Sequence, residues 1–254
     1  MANVTEVMRA AARSQIYAFL SQALADPEAG TLARLRQALP AAQAALATIG
    51  GTESRAALAA FNSEIEDLDE AGLAAVHRRI FGHGVSGDCP PYEGEYGHAH
   101  IFQKTQSLAD NAGFFQAFGL AAAPSLTDRL DHVAVELEFL HVLAAKEAYA
   151  LNRGHGEERL VIVRDATRKY FEDHLGRWAP VFAMRLESKA QEGPYAALAR
   201  LLAAFIEEEM RALNVVPLPA AAVPLEPYDE ASACESCTAA SVFNQQREAS
   251  HGSA

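Results

Sequence analysis

Residues 81–96 read Phe-Gly-His-Gly-Val-Ser-Gly-Asp-Cys-Pro-Pro-Tyr-Glu-Gly-Glu-Tyr, and they limit what the rest of the chain can build. Gly82, Gly84 and Gly87 free the backbone, while Pro90 and Pro91 remove two amide donors and enforce extended dihedrals. This is the only long segment ahead of the C-terminal tail that cannot be helix, and helical periodicity flanks it on both sides. A loop of this length inside a helical domain is either functional or disordered. Tyr92, Tyr96, Glu93 and Glu95 beside a stiff Pro-Pro pair predict a fixed surface feature. Composition alone allows a plain interhelical crossover equally well.

The periodicity around the loop is helical throughout. Val4, Met8, Ala12, Ile16, Phe19 and Ala23 recur at spacings of three and four, predicting a first helix over residues 5–25. Thr31 starts a shorter helix to residue 39, and Pro40 opens a separate Ala-rich one that Gly50 and Gly51 stop. Further helices follow from Thr52, through Leu73, Val76 and Ile80, and over residues 98–118. The most apolar helix is predicted from Pro124 and Ser125 to Leu151, with Ser125 and Asp128 as a capping-box-like pair. Its line Val133, Leu137, Leu140, Ala144, Ala148 and Leu151 is broadened by Val135, Phe139 and Val142, which puts it at the centre of a bundle. The last helices span residues 157–174, 178–188 and 194–213. The expected fold is all-α: one domain, residues 1–214, of nine or ten helices around a buried central helix. Pro217, Pro219, Pro224 and Pro227 mark residues 215–254 as a disordered tail.

With 33 acidic against 21 basic residues the formal net charge is −12, which excludes nucleic-acid binding by phosphate neutralisation. No apolar run is long enough to span a membrane, and the N-terminus lacks a secretory pattern. Three cysteines, two of them in the tail, make no disulfide framework, so the chain is expected to be cytoplasmic.

Several patterns carry candidate chemistry. Asp131 and His132 stand near the start of the predicted central helix, where the dipole favours a carboxylate, and His132 and Glu136 share a face. A helix cap and an ordinary pair explain the same residues. Glu138-x-x-His141 and Glu95-x-x-His98 have the spacing of ferritin-like di-metal sites, but Glu95 lies between two glycines and Glu138 off the apolar line. His98 and His100 diverge on a helix, and Cys234-x-x-Cys237 is half a zinc site without its second half. Nucleotide-binding, nucleophile-elbow and zincin motifs are absent, so neither catalytic residues nor a metal or other cofactor are expected.

Residues 81–84 together with Pro90-Pro91-Tyr92-Glu93-Gly94-Glu95-Tyr96 resemble the loop signature of the TorD/DmsD/NarJ family of redox-enzyme maturation chaperones. The stretch opened by Asp131 and His132 and running to Leu140 resembles that family's second signature, and Tyr17 to Leu20 followed by Asp26-Pro27 fits its start. The resemblance implies an all-helical, non-enzymatic cytoplasmic chaperone, a monomer or a homodimer. Its partners would be the apo catalytic subunit of a molybdenum oxidoreductase of the dimethyl sulfoxide reductase type and that subunit's twin-arginine signal peptide. It would hold the subunit until the molybdenum cofactor is inserted. Tyr92, Glu93 and Tyr96 match the loop signature, and Asp131 and His132 match the pair tied to peptide recognition. Gly94 departs from the pattern, where Ser is common, and the Cys-containing tail is not part of it. Two guanidinium groups ahead of an apolar segment call for acids beside a hydrophobic groove, which Glu93, Glu95, Asp131 and Glu136 near Tyr92 and Tyr96 would supply. The rival expectations are a helical di-iron oxidase and a helical scaffold for an unrelated partner.

Overall fold

The computed structural model describes residues 4–82, 87–97, 101–121 and 128–220, with backbone alone at 101–104. Among the described residues there are nine α-helices and no strand. They are α1 (Val4–Leu24), α2 (Thr31–Ile49), α3 (Thr52–Glu66), α4 (Glu70–Phe81), α5 (Ile101–Ala117), α6 (Val133–Arg153), α7 (Glu157–Asp173), α8 (Leu175–Ala190) and α9 (Pro194–Leu213). The all-α bundle is as the periodicity predicts. His98, His100, the Ser125 helix start, Cys234, Cys237 and everything beyond residue 220 lie outside the described residues.

Helix α1 runs along α6 and α2, α3 and α8 pack on α9, and α7 bridges α6 and α8. Ile16, Phe19, Leu20 and Leu24 form the buried stripe of α1. Val4 and Met8 of the predicted stripe are exposed instead; at that end only Val7 and Ala10 reach Ala150, Leu151 and Leu160. In α6 the residues Val133, Leu137, Phe139, Leu140 and Leu143 are buried together, on more than one face.

Two predicted boundaries are corrected. Residues 31–49 form one helix with Pro40 inside it, not two. Pro40 is exposed, so its ring projects into water, and Leu32, Leu35, Leu39, Ala42 and Leu46 stay on one buried face across it. The central helix starts at Val133, not near Pro124, because His132 is extended (φ −74°, ψ 138°) and acts as the N-cap.

A third boundary shifts too: α8 starts at Leu175, not at residue 178, with a single residue between it and the end of α7. Gly176 permits the corner: a Cβ there would lie 2.5 Å from the Phe171 carbonyl oxygen and 2.7 Å from Pro217. The segment after α9 returns to this corner, with Val215 buried and the Ala220 amide donating to the Arg177 carbonyl at 2.8 Å.

A buried ionic cluster ties four helices together. Arg13 of α1 meets Glu209 of α9 (Nη2 to Oε2, 2.8 Å) and Glu147 of α6 (3.4 Å). Tyr17 donates to Glu209 at 2.6 Å, and Arg164 of α7 closes on Glu147 at 2.6 Å.

Candidate functional site

The loop is a fixed structure because its own chemistry docks it onto the start of α6. Prolines carry no amide donor, but their carbonyls remain as acceptors. Pro91 accepts from the Val133 amide at 2.8 Å, and Pro90 accepts from the Tyr96 hydroxyl at 2.9 Å. The Glu93 amide donates to the Asp131 carbonyl at 2.9 Å, and Tyr92 forms an antiparallel bridge with His132. A single 3₁₀ turn, Glu93–Glu95, then reverses the chain. The first amides of α6 are thereby all satisfied: Val133 by Pro91, Ala134 by His132 Nδ1 at 3.1 Å, and Val135 and Glu136 by the His132 carbonyl. The two signature stretches are one structural unit.

Arg129 is the electrostatic centre of that unit. Its guanidinium grips both carboxylate oxygens of Asp131 (Nε to Oδ1 2.9 Å, Nη2 to Oδ2 2.6 Å) and reaches Glu95 at 3.2 Å. It also lies over the Tyr92 ring, 4.7 Å from the centroid. Asp131 is fully buried and additionally accepts from the Gly94 amide at 3.0 Å.

Glu93 points the other way, into the bundle. Its carboxylate accepts from Ser107 (2.7 Å), Asn111 (3.0 Å) and His174 Nδ1 (3.0 Å). Burial alone would raise this carboxyl, but the bond and charge of His174 and the two further donors outweigh it and hold Glu93 below the ordinary carboxylate range. Glu136 is fully buried beside it and accepts from Trp178 Nε1 at 3.1 Å. Burial, then the Glu93 charge, drives the Glu136 carboxyl well above the usual range, against the pull of the Trp178 bond. Its Oε1 meets no donor among the described residues and is the atom left to carry the proton, with Glu93 as its neighbour. His174 Nε2 lies 3.3 Å from Asp110, outside hydrogen-bonding angles. Tyr96 is turned inward as well, its ring 5.1 Å from Trp178.

The expected receptor of open acids is therefore rearranged. Asp131, Glu136 and Tyr96 are buried, and the Glu93, Glu95 and Asp131 carboxylates meet donors within the chain. Burial removes Asp131 and Glu136 from the surface, and an i,i+4 spacing does not reveal burial. Asp26, His77 and Asp128 lie near the buried His132, and Tyr92 stacks edge-on against its ring at 5.1 Å. Tyr92 donates to Asp128 at 3.2 Å, and His77 Nδ1 lies 3.4 Å from Asp26, whose side chain is 81% exposed. Burial first, then the nearby His77 charge, pushes His132 down to about 4 against the pull of Asp128 and Asp26. In sequence this face is marked by Asp26-Pro27 after α1 and by Asp128, there part of a helix cap.

Among the described residues neither a metal site nor a reactive thiol emerges. Among the described residues no group of three or more His, Cys, Asp and Glu is placed to hold a metal ion. Glu138 is exposed, and His141 bonds to Ser14. Cys89 is fully buried, and burial pushes its thiol up to about 12.

Comparison with known proteins agrees with this architecture. The family described as "Nitrate reductase delta subunit" matches residues 21–184. The chain is 25% identical over 191 residues to chaperone protein TorD of Salmonella bongori, covering 68% of this chain and 82% of that one. It is 24% identical over 218 residues to the perchlorate reductase assembly chaperone protein of Dechloromonas aromatica (82% of this chain, 92% of the relative). A shorter match, 32% over 104 residues, links it to the chlorate reductase assembly chaperone protein of Ideonella dechloratans (41% and 51%). The matched region contains both the docked loop and the Asp131-His132 helix start, and the chain belongs to the nitrate reductase delta subunit family, the TorD/DmsD/NarJ type of chaperone.

Proposed function

We propose that this protein is a cytoplasmic, system-specific chaperone for the apo catalytic subunit of a molybdenum oxidoreductase, which it holds until the cofactor is inserted. The twin-arginine signal peptide of that subunit binds on the outer face of the docked loop. The observation that carries the reading is the joining of the two family signatures into one capped unit, with half-buried Tyr92 and Asp128 bonded on its outer side and His132 buried against the Tyr92 ring. The relatives named for perchlorate and chlorate reductase assembly support an oxidoreductase as the client.

Within this reading the residues divide by role. Asp26 and Asp128 receive the guanidinium groups, and Tyr92 offers an aromatic face beside them. His132 caps α6 and sets the position of Tyr92. Glu93, Asp131, Glu136 and Tyr96 act from beneath by holding the loop in register.

The test is calorimetric titration with a synthetic twin-arginine signal peptide and a twin-lysine control. Asp128→Asn with Asp26→Asn is expected to weaken binding about tenfold or more while the helical circular-dichroism signal stays unchanged. Alanine at both Asp131 and His132 should weaken binding with some loss of stability. Unchanged affinity in both folded variants refutes the signal-peptide assignment. Capture of the apo catalytic subunit lacking its signal peptide tests the chaperone reading separately.

A further inference from the structure

Along the C-terminal part of α6, away from the loop, α5, α6 and α7 enclose an open groove of about 670 Å³. Its floor is apolar: Phe118, Val142, Val163 and Ile162, flanked by Tyr149. Ile162 is 61% exposed and Tyr149 56%, an arrangement that costs free energy unless something covers it. The ionisable side chains that could carry positive charge in its lining are His141, Lys146, His155 and Arg159, of which Lys146 and Arg159 are exposed. No carboxylate lines it among the described residues. In a chain of net charge −12 this concentration runs against the general surface.

One further detail points outward. Lys146 and Arg159 meet no carboxylate among the described residues, whereas Arg13, Arg129 and Arg164 are all paired. His141, also in the lining, is tied back to α1, its Nδ1 2.9 Å from both the carbonyl and the hydroxyl oxygen of Ser14.

We propose that this groove docks an acidic amphipathic helix of a protein partner. Aliphatic side chains along one face of that helix fill the Val142–Ile162–Val163 floor, and carboxylates along its edges pair with Lys146 and Arg159. The surface is distinct from the outer face of the loop, where Asp26 and Asp128 suit a cationic peptide. The two surfaces have opposite sign, so one partner segment cannot satisfy both.

Fluorescence anisotropy of the full chain with three labelled peptides, each of about five helical turns, tests this. One carries Leu on one face and Glu at the edges, the second replaces every Glu with Lys, and the third scrambles the Glu peptide. The Glu peptide is expected to bind at least about tenfold tighter than the others, with the preference shrinking at high salt. Ile162→Asp should abolish that binding, and Lys146→Glu with Arg159→Glu should transfer the preference to the Lys peptide; all three positions are exposed, so the fold persists. Equal binding of the three peptides, or insensitivity to these substitutions, overturns the proposal. So does a self-association that Ile162→Asp abolishes and the Glu peptide fails to displace, which gives the groove to a second copy. Displacement of the Glu peptide by a twin-arginine peptide overturns the separation of the two surfaces.

Discussion

Arg129 grips both carboxylate oxygens of Asp131, although the two are only two residues apart and Asp131 has no solvent exposure at all. The fork turns a buried negative charge into the support of the Gly94 amide, and so holds the loop against α6. Arg129→Ala strands that charge. Breaking a buried pair costs about 3–5 kcal/mol, but Arg129 is 35% exposed and water partly replaces it, so about 2–3 kcal/mol is expected by chemical denaturation. Replacing both residues with alanine should cost less than the two single losses added together.

Glu136 gives stability a slope with pH. Its folded-state pKa is raised, so between the ordinary carboxyl value of 4.5 and its raised value the folded chain binds a proton that the unfolded chain does not. Stability then falls as pH rises through that interval. Glu136→Gln keeps an acceptor for Trp178 and removes the proton. The variant should be more stable than the parent at pH 8, with the difference shrinking towards pH 4.5, in denaturant melts across that range.

His132 works with the opposite sign. Its folded pKa is lowered from 6.5 to about 4, so below 6.5 the unfolded chain binds protons that the folded chain refuses. The stability this contributes is present above 6.5 and is lost as pH falls through the interval to about 4. Protonation also removes the Nδ1 acceptor that caps Ala134. His132→Asn retains a cap, so it should lie within about 1 kcal/mol of the parent at pH 7.5 and lose less stability at pH 5.

Pro40 is tolerated inside α2 because burial on both sides of it holds the helix, not because it fits there. Pro40→Ala restores an amide to the ladder on an exposed face. A gain of about 1–3 kcal/mol is expected. Since one kcal/mol moves the midpoint of a domain this large by about 2–4 °C, a thermal melt resolves it. An unchanged or lower midpoint would show that the helix is bent to suit the proline.

Features punctuated locally were legible in the sequence. The glycines and prolines of residues 81–96 mark the loop, and Pro194 as first residue with Asn214 at φ +52° as cap sets the limits of α9 where the pattern puts them. The start of α6 was not, because an apolar pattern says nothing of the extended backbone that His132 adopts to meet Tyr92. The candidate site shows the same division. Tyr92, Glu93, Asp131 and His132 stand out as residues, but their partners do not: His174 meets Glu93 across 81 positions, and Trp178 meets Glu136 across 42. Spacing along one helix puts Glu136 on the face of His132, but it does not tell that packing from α8 buries it.

The Arg13–Glu209 contact spans 196 positions, joining the first helix to the last. During synthesis α1 leaves the ribosome with a cation that can reach Glu147 only once α6 is made, at 3.4 Å, and whose nearer counter-ion Glu209, at 2.8 Å, comes last. An isolated buried charge is costly, so α1 gains little from settling into place before α9 arrives. Assembly from one end to the other is thus disfavoured, and the bundle closes as a late, long-range event. Chains truncated within α9 should accordingly leave their first helix undocked.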